Sequence, residues 1–287
     1  MQEHTRRGFL KTAAVGAAGL ALTRQGLATS AGTAPAGAAP PASVKLGVAS
    51  YSLRELPRAQ AIAAIRALDT PYVNIKSFHL PYETSREERA SARREFEEAG
   101  LQIVGGGTIS LQKNDEADIR FHFEYAKDCG MPLMVIAPTP DTLPLIERFV
   151  KEYDIRVAIH NHGPEDPWFP GPVDALKHIE DMDPRVGVCL DVGHTARTGT
   201  DVVEATVQSG DRLLDMHIKD LRDLGDKESQ CIVGEGRMPV PALFRQLASM
   251  GYDGYVNLEY EIDADDPLPG MQRSFAYMRG VLAGLAE

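Results

Sequence analysis

Short runs of apolar, often β-branched residues alternate along the chain with longer segments whose apolar positions recur every three or four residues. From Val44 onward this alternation repeats eight times. Continuous apolar runs are typical of strands buried on both faces, and the longer segments are typical of amphipathic helices. The strands are predicted at residues 44–53, 72–77, 101–109, 132–138, 156–162, 185–194, 212–220 and 254–261.

Each predicted strand is followed by a predicted helix. The helices are expected at residues 58–69, 85–100, 115–130, 141–154, 171–182, 201–210, 239–251 and 270–286. Eight strand–helix units in about 245 residues predict a single (β/α)8 TIM barrel over residues 44–287. A doubly wound open sheet is the alternative. No Gly-x-Gly-x-x-Gly loop follows the first strand, which argues against a dinucleotide-binding fold.

The segment before the barrel has the features of an export signal. The sequence "TRRGFLK" precedes the weakly apolar stretch "TAAVGAAGLALT" and a run of small residues. This order predicts a twin-arginine signal peptide over residues 1–30, with processing near Ala28–Ala31, and a disordered, proline-containing linker over 31–43. The apolar stretch is short and rich in Ala and Gly for a membrane span, although an uncleaved anchor is the alternative. We therefore predict a periplasmic or secreted protein without stable membrane insertion after processing.

The charge of the chain restricts its partners. The formal net charge is −11, and the predicted signal contains more basic than acidic residues, so the exported domain is more acidic still. Such a domain repels a phosphate backbone, so nucleic acid is not expected as a partner. A small-molecule partner is expected instead.

The three cysteines are far apart in the sequence, which predicts buried thiols and neither a disulfide framework nor a Cys-x-x-Cys site. The oligomeric state stays open.

Ionisable residues collect where the predicted strands end, which is where a parallel barrel carries its active site. Those that follow the second, fifth, sixth, seventh and eighth strands are Lys76, His79, His160, His162, Asp191, His194, His217, Glu259 and Glu261. Among them, His160, Asp191, His217 and Glu259 offer two imidazoles and two carboxylates. Such a set suits one divalent ion, with Mn²⁺, Fe²⁺, Co²⁺, Zn²⁺ and Ni²⁺ not distinguished. The alternative is that each residue is hydrogen-bonded within the core.

The order of four short motifs carries a resemblance to a known family. "CLDVGHT", "DMHIKD", "VGEGRMP" and "VNLEYE" follow one another as in the xylose isomerase-like TIM-barrel superfamily, in particular its sugar phosphate isomerase/epimerase branch. The resemblance covers nearly the whole chain after the signal. It implies a carbohydrate substrate. It also implies that Asp191, His217 and Glu259 bind the metal, and that Glu259 moves protons as well. By the same resemblance, the residues that contact or face the substrate are His194, Glu235 and Arg237.

The fifth strand departs from the family pattern. It ends in His160-Asn161-His162, where the family usually has Glu-Asn-His. In the epimerases that glutamate and the last one pass a proton between two faces of the sugar, so one half of the pair is missing here. A histidine also leaves the metal less neutralised and hence a stronger Lewis acid. Both effects favour one-sided proton abstraction next to a ketone, as in the β-elimination of 3-keto-glycosides by exported members that this sequence resembles.

Several roles stay open at this point. Glu259 is the first choice of catalytic base, with His162 and His79 as alternates. His162 either contacts substrate or supports His160. Lys76 and His79 are expected to bind sugar hydroxyls or to donate a proton, unless they belong to a solvated loop. Trp168 either stacks on a sugar face or packs its own loop.

The sequence therefore predicts a metal-dependent enzyme that abstracts a proton α to a sugar carbonyl, as an isomerase, an epimerase or a 3-keto-glycoside lyase. A non-catalytic sugar-binding barrel is the first alternative. An endonuclease IV-like phosphodiesterase is the second, and it is disfavoured by the acidic charge.

Overall fold

The computed structural model describes residues 44–287, which form the predicted (β/α)8 barrel. Eight parallel strands close on themselves, so the doubly wound alternative is excluded. The barrel strands are β1 (Lys45–Ala49), β2 (Tyr72–Ile75), β3 (Gln102–Leu111), β4 (Leu133–Pro138), β5 (Arg156–His160), β6 (Val186–Asp191), β7 (Leu213–Ile218) and β10 (Tyr255–Leu258). The predicted signal peptide and linker, residues 1–43, lie outside the described residues.

Nine helices and one small hairpin accompany these strands in residues 44–287. The helices are α1 (Arg58–Ala67), α2 (Arg86–Glu98), α3 (Glu116–Asp128), α4 (Leu143–Tyr153), α5 (Pro172–Ile179), α6 (Val192–Arg197), α7 (Val202–Ser209), α8 (Val240–Ser249) and α9 (Leu268–Leu285). The hairpin pairs β8 (Asp220–Leu221) with β9 (Gln230–Cys231) in antiparallel fashion. It lies in the chain between β7 and α8.

The outer helices form where the sequence pattern predicts them. In α4, Ile146, Phe149 and Val150 are fully buried at helical spacing, and they pack on the sheet. The helix α2 begins after Ser85, which forms a capping box with Glu88. No helix within residues 44–287 is both long and apolar enough to cross a membrane. All three cysteines are free and buried, as predicted.

Six of the eight predicted strands extend beyond the carboxyl ends of the strands observed, and three of them show why. The sixth was expected to continue to residue 194, but β6 ends at Asp191 because this side chain accepts a hydrogen bond from the backbone N–H of His194 and thereby starts α6. His194 therefore lies on a helix. The first strand ends at Ala49 and is followed by a 3₁₀ turn. The fifth ends at His160, because the N–H of His162 bonds within its own loop, to the carbonyl of Phe169.

A polar layer lies inside the barrel beneath the strand ends. Asp215 on β7 is 1% exposed and accepts hydrogen bonds from Asn74 Nδ2 at 2.8 Å and Asn257 Nδ2 at 2.7 Å. Burial raises the pKa of Asp215 to about 6, although these two amides and the nearby His217 oppose the shift. A side chain at Gly47 would collide with Asn257, so the glycine makes room for this layer. The layer holds β7 in place two residues before His217.

Candidate metal centre

Four side chains from four strand ends converge at the carboxyl-terminal mouth of the barrel. They are His160 on β5, Asp191 on β6, His217 on β7 and Glu259 directly after β10, and each offers one ligand atom within 4.8 Å of the others. His160 Nε2 lies 3.0 Å from His217 Nδ1 and 3.6 Å from Asp191 Oδ2. His217 Nδ1 lies 3.3 Å from Glu259 Oε2. The convergence is the one that the strand-end pattern predicts.

These separations fit a single divalent ion. Ligand atoms bound about 2.1 Å from a metal lie about 3.0 to 3.4 Å from one another in octahedral or tetrahedral geometry. Asp191 Oδ2 is fully buried and accepts no hydrogen bond, and the ammonium group of Lys219 at 3.1 Å is the cation that compensates its charge in the protein itself. Cys189 forms a second cluster with the two histidines, but burial raises the pKa of its thiol well above the usual range. The set with Asp191 and Glu259 therefore suits the ion better.

The charge states of these groups follow from burial and from the charges nearby. Burial lowers the pKa of His160 well below its usual value, so its imidazole is neutral and able to ligate. Burial alone would raise the pKa of both Asp191 and Glu259. The ammonium group of Lys219, together with the nearby histidines and, at Glu259, Lys76, outweighs burial, so both pKa values are lowered and both carboxylates are ionised. The donor set therefore consists of two imidazole nitrogens, that of His160 neutral, and two anionic carboxylate oxygens.

Lys219 is the residue of this centre that the sequence reasoning did not assign. Its Nζ lies 3.1 Å from Asp191 Oδ2 and 3.0 Å from Glu259 Oε2, and it also contacts Glu261. The contact with Asp191 has the distance of an ion pair but not the geometry of a hydrogen bond. A signal for Lys219 exists in the motif "HIKD", because a residue two positions after His217 on a strand points to the same side.

The lysine reaches the centre across a glycine. A Cβ at Gly193 would lie 2.7 Å from Cδ of Lys219 and 2.8 Å from its Cγ. Glycine in "DVGHT" therefore leaves space for the aliphatic part of Lys219. Gln230 on β9 supports the same region, since its side chain bonds the backbone carbonyl of Glu259 and the backbone N–H of Glu261.

An open cavity of about 290 Å³ adjoins this centre and is lined by two of the four candidate ligands, His160 and Glu259. Its volume is close to the lower end of the usual range for small-molecule sites. Its lining residues are Tyr51, Lys76, Ser77, Phe78, Thr108, His160, His162, His194, Glu259 and Glu261. We call it the reaction pocket. Lys76 Nζ lies 3.3 Å from Glu259 Oε1, and so this carboxylate contacts a lysine through each oxygen. Phe78 is 56% exposed and contacts Tyr51 edge-on, which gives the rim an aromatic surface.

The three polar residues at the end of β5, His160, Asn161 and His162, have different surroundings. His160 faces the other metal-site side chains. The amide of Asn161 bonds the backbone N–H of Asp191 and the hydroxyl of Thr195, and thus connects the fifth strand to the start of α6. His162 lines the reaction pocket, and its Nδ1 lies 3.4 Å from Asp166 Oδ2. In the sequence His-Asn-His, the first histidine is therefore a potential metal ligand, the asparagine connects two elements by hydrogen bonds, and the second histidine lines the pocket.

Four residues predicted to be catalytic or to bind substrate do not line the reaction pocket. His79 is 1% exposed, with Nδ1 bonded to Ser50 and Nε2 near two backbone carbonyls, so its ring is a structural group of the β2 loop and not a base. Glu235 pairs with two arginines, and Arg237 lines a separate groove. Trp168 is 49% exposed on the loop after β5. The interpretation of His79 as catalytic or sugar-binding was wrong because both of its nitrogens are engaged.

A second cavity of about 240 Å³ adjoins the reaction pocket. The two share His194 and Glu261 as walls. The other lining residues of this second cavity are Gly193, Arg197, Lys219, Leu221, Lys227, Glu228, Gln230 and Ile262. Its lining combines polar and apolar surface, and the two cavities together leave room for a ligand with two parts.

The closed barrel and its His/Asp/Glu cluster define a TIM barrel with a candidate metal site at the carboxyl ends of its strands. The chain belongs to the xylose isomerase-like TIM barrel family, whose model matches residues 62–281. The resemblance inferred from the four motifs is thereby confirmed.

Individual relatives agree with this assignment. The rhizopine catabolism protein MocC of Rhizobium meliloti is 29% identical over 140 residues, which cover 44% of this chain and 42% of that protein. The chain thus matches less than half the length of this curated relative. The structure of the IolI protein with a bound zinc atom has a TM-score of 0.72 at 17% identity and covers 84% of this chain and 99% of that one. The 3-keto-D-glucoside 4-epimerase YcjR of E. coli has a TM-score of 0.69 at 18% identity, over 83% and 99%. At these identities the two structures establish the fold alone.

Proposed function

We propose that this protein is a metal-dependent sugar enzyme that removes a proton from the carbon next to a carbonyl, and that it acts on 3-keto-glycosides by β-elimination. One observation carries the proposal. The carboxylates that line the reaction pocket, Glu259 and Glu261, both follow β10, whereas the β5 side presents the imidazoles of His160 and His162. A pocket with its carboxylates on one side suits abstraction of a proton from one face of a sugar.

The charge of the centre supports an anionic intermediate. Asp191, Glu259 and Glu261 face the ammonium groups of Lys76 and Lys219, which leaves one formal negative charge. A divalent ion turns this into one formal positive charge, and it would supply Lewis-acid polarisation of the carbonyl. The enediolate formed by deprotonation carries one negative charge. The centre is therefore electrostatically complementary to the intermediate and not to the neutral substrate.

Glu259 is the proposed base. Its carboxylate is ionised and lines the pocket, and Lys76 and Lys219 hold one oxygen each, so its orientation is set before the substrate arrives. The same contacts lower its basicity, which is why the acidity of the substrate proton must be raised by the carbonyl. His162, with Asp166 at its Nδ1, is the alternate base.

The reaction is balanced without an added reagent. The base takes the proton from C2 of a 3-keto-glycoside, and the resulting charge delocalises onto the oxygen at C3. The C1–O bond then breaks, a C1–C2 double bond forms, and the leaving oxygen takes up a proton to become an alcohol. The substrate therefore consists of a sugar and a leaving group, which agrees with two adjoining cavities that meet at His194 and Glu261. The sugar epimerases among the structural neighbours, one of them a 3-keto-glucoside enzyme, support the same reaction class.

The reaction is tested by incubating the metal-loaded protein with a 3-keto-glycoside in D₂O. We expect release of the aglycone, with any deuterium in recovered substrate confined to the carbon next to the ketone. Free ketoses should be interconverted slowly, because one carboxylate of the epimerase pair is absent. Calorimetric binding of the sugar without exchange or release would instead support the sugar-binding alternative.

We further propose that the protein acts outside the cytoplasm, after export by the twin-arginine pathway. The support is the sequence "TRRGFLK" and the weakly apolar stretch that follows it. Twin-arginine export carries folded proteins, so a metal could be acquired before export.

Replacement of both Arg6 and Arg7 by lysine should retain full-length precursor in the cytoplasm. Cell fractionation and immunoblotting of the tagged chain measure this. A variant with Lys45→Arg, which lies in the barrel, is the matched control and should be exported. Normal export of the double-lysine variant would refute the twin-arginine proposal.

A further inference from the structure

A hydrogen-bonded chain of three side chains lies behind His194 and has no part in the proposed metal ligation. Arg197 follows His194 by three residues on α6, and its Nη1 lies 3.0 Å from His194 Nδ1. Its Nη2 bonds Glu165, which comes from the loop after β5. The Arg197 side chain is only 6% exposed, so this arginine is held within the protein, while Glu165, which is 57% exposed, meets it from the surface. We call these three residues the relay.

The relay determines which nitrogen of His194 carries the proton. A guanidinium group has hydrogen-bond donors and no acceptor, so His194 Nδ1 must accept from Arg197. An imidazole that accepts at Nδ1 is neutral and carries its proton on Nε2. Within residues 44–287, Nε2 makes no hydrogen bond to protein, and the ring lines both the reaction pocket and the adjoining cavity. His194 thus has a free N–H at the junction of the two cavities.

The turn at Gly163 is shaped around the relay. This residue has φ +84°, where a side chain is strained. A Cβ there would lie 3.0 Å from Arg197 Nη1, 3.3 Å from Glu165 Oε2 and 3.3 Å from His194 Nδ1. The glycine that ends "VAIHNHG" therefore leaves space for all three members at once. The small separations around Gly163 show that the loop after β5 packs closely against the helix α6 at this point.

We propose that Arg197 and Glu165 are positioning residues that hold His194 as a neutral Nε2–H donor for the carbonyl oxygen of the substrate. This deepens the proposed function and rests on it for the identity of the acceptor. As charge grows on that oxygen during deprotonation, a fixed donor stabilises it more than it stabilises the ground state. The relay thereby adds a neutral donor to the cationic groups of the centre.

The tautomer is measured directly by ¹⁵N NMR of histidine-labelled protein loaded with diamagnetic Zn²⁺, with the His194 signals assigned by their loss in His194→Gln. In the wild type we expect Nδ1 to be unprotonated and Nε2 to be protonated. Arg197→Met keeps the aliphatic stem but removes the donor to Nδ1, so the Nε2–H tautomer is no longer fixed and a mixture of both neutral tautomers is expected. The matched control is Arg120→Met, which removes an arginine from an ion pair with Glu152 between helices α3 and α4 and should leave the spectrum unchanged.

Kinetics separate positioning from a merely structural role. Arg197→Met should lower kcat by about 10- to 100-fold with little change in KM and no loss of bound zinc, because a transition-state donor is lost. Arg197→Lys can still donate to Nδ1 and should recover part of the rate. A wild-type His194 protonated on Nδ1, or an Arg197→Met spectrum identical to the wild type, would overturn the relay. If the tautomers behave as expected but 3-keto-glycosides are not cleaved, the relay stands and the proposed reaction fails.

Discussion

Replacement of Asp191 or His217 by alanine is expected to remove the bound divalent ion and to lower the rate of α-proton abstraction by about 10³-fold or more. Each residue supplies one of the four converging ligand atoms. The loss of one ligand would leave a three-residue site and take away the Lewis acid on which the proposed reaction depends. Elemental analysis of protein folded in the cytoplasm should find about one ion per chain in the wild type and little in either variant.

The α3 helix offers a matched control for these two substitutions. Asp118 and His122 also lie close together, with Asp118 Oδ2 and His122 Nδ1 3.9 Å apart, but they lie on an outer helix and are not among the four converging side chains. Their alanine variants should keep the metal and the activity. Thermal melts with and without a chelator complete the test, because only the wild type and the control should be stabilised by metal. Retention of the ion by both Asp191→Ala and His217→Ala would place the metal elsewhere.

His160→Glu is expected to keep the metal but to lose elimination rate by about 10- to 100-fold, which corresponds to about 1–3 kcal/mol. Glutamate is a hard oxygen ligand that adds one negative charge to a fully buried position beside Asp191. The added charge cancels the formal positive charge of the loaded centre and weakens the Lewis acid. It also places a carboxylate on the β5 side, so exchange at the second face of the sugar should increase.

His160→Gln separates the effect of charge from the effect of the ligand atom. Glutamine offers a neutral oxygen, so this control should retain more of the elimination rate than His160→Glu does. The glutamate variant should also depend more on metal for its thermal stability, since two adjacent buried carboxylates repel each other without a cation. Both variants are compared by aglycone release and by deuterium exchange. A wild-type enzyme that rapidly interconverts free ketose epimers and leaves 3-keto-glycosides intact would refute this interpretation of His160.

The alternation of apolar runs and amphipathic segments was enough to predict the barrel and its eight units. That pattern directly indicates which segments are buried, because a strand that is covered on both faces is apolar along most of its length. The ends of the strands were less predictable. The apolar pattern of "RVGVCLDVGH" does not change at Asp191, and β6 stops there only because the Asp191 side chain caps α6. The small hairpin after β7 lacked any periodic signal, since each of its strands has only two residues.

The proposed metal ligands were predicted for a similar reason. In a parallel barrel all strands end at the same mouth, so four strand ends in one sequence become neighbours in space. Residues in loops follow no such rule. His79 follows its strand by a few residues as a site residue would, but its loop folds back and buries the ring against Ser50. Glu235 was expected near the substrate, and its carboxylate instead pairs with Arg222 and Arg273.

The sequence by itself determined the fold class, the strand that carries each ligand and the neutral histidine in place of a carboxylate, because periodicity and residue type are local properties. Only the tertiary structure decided how these groups are charged and oriented. Lys219 acts on Asp191 and Glu259 across three strands, and Arg197 meets Glu165 from a separate loop. These contacts join residues far apart in the chain, and their electrostatic effect depends on burial, which no local pattern specifies.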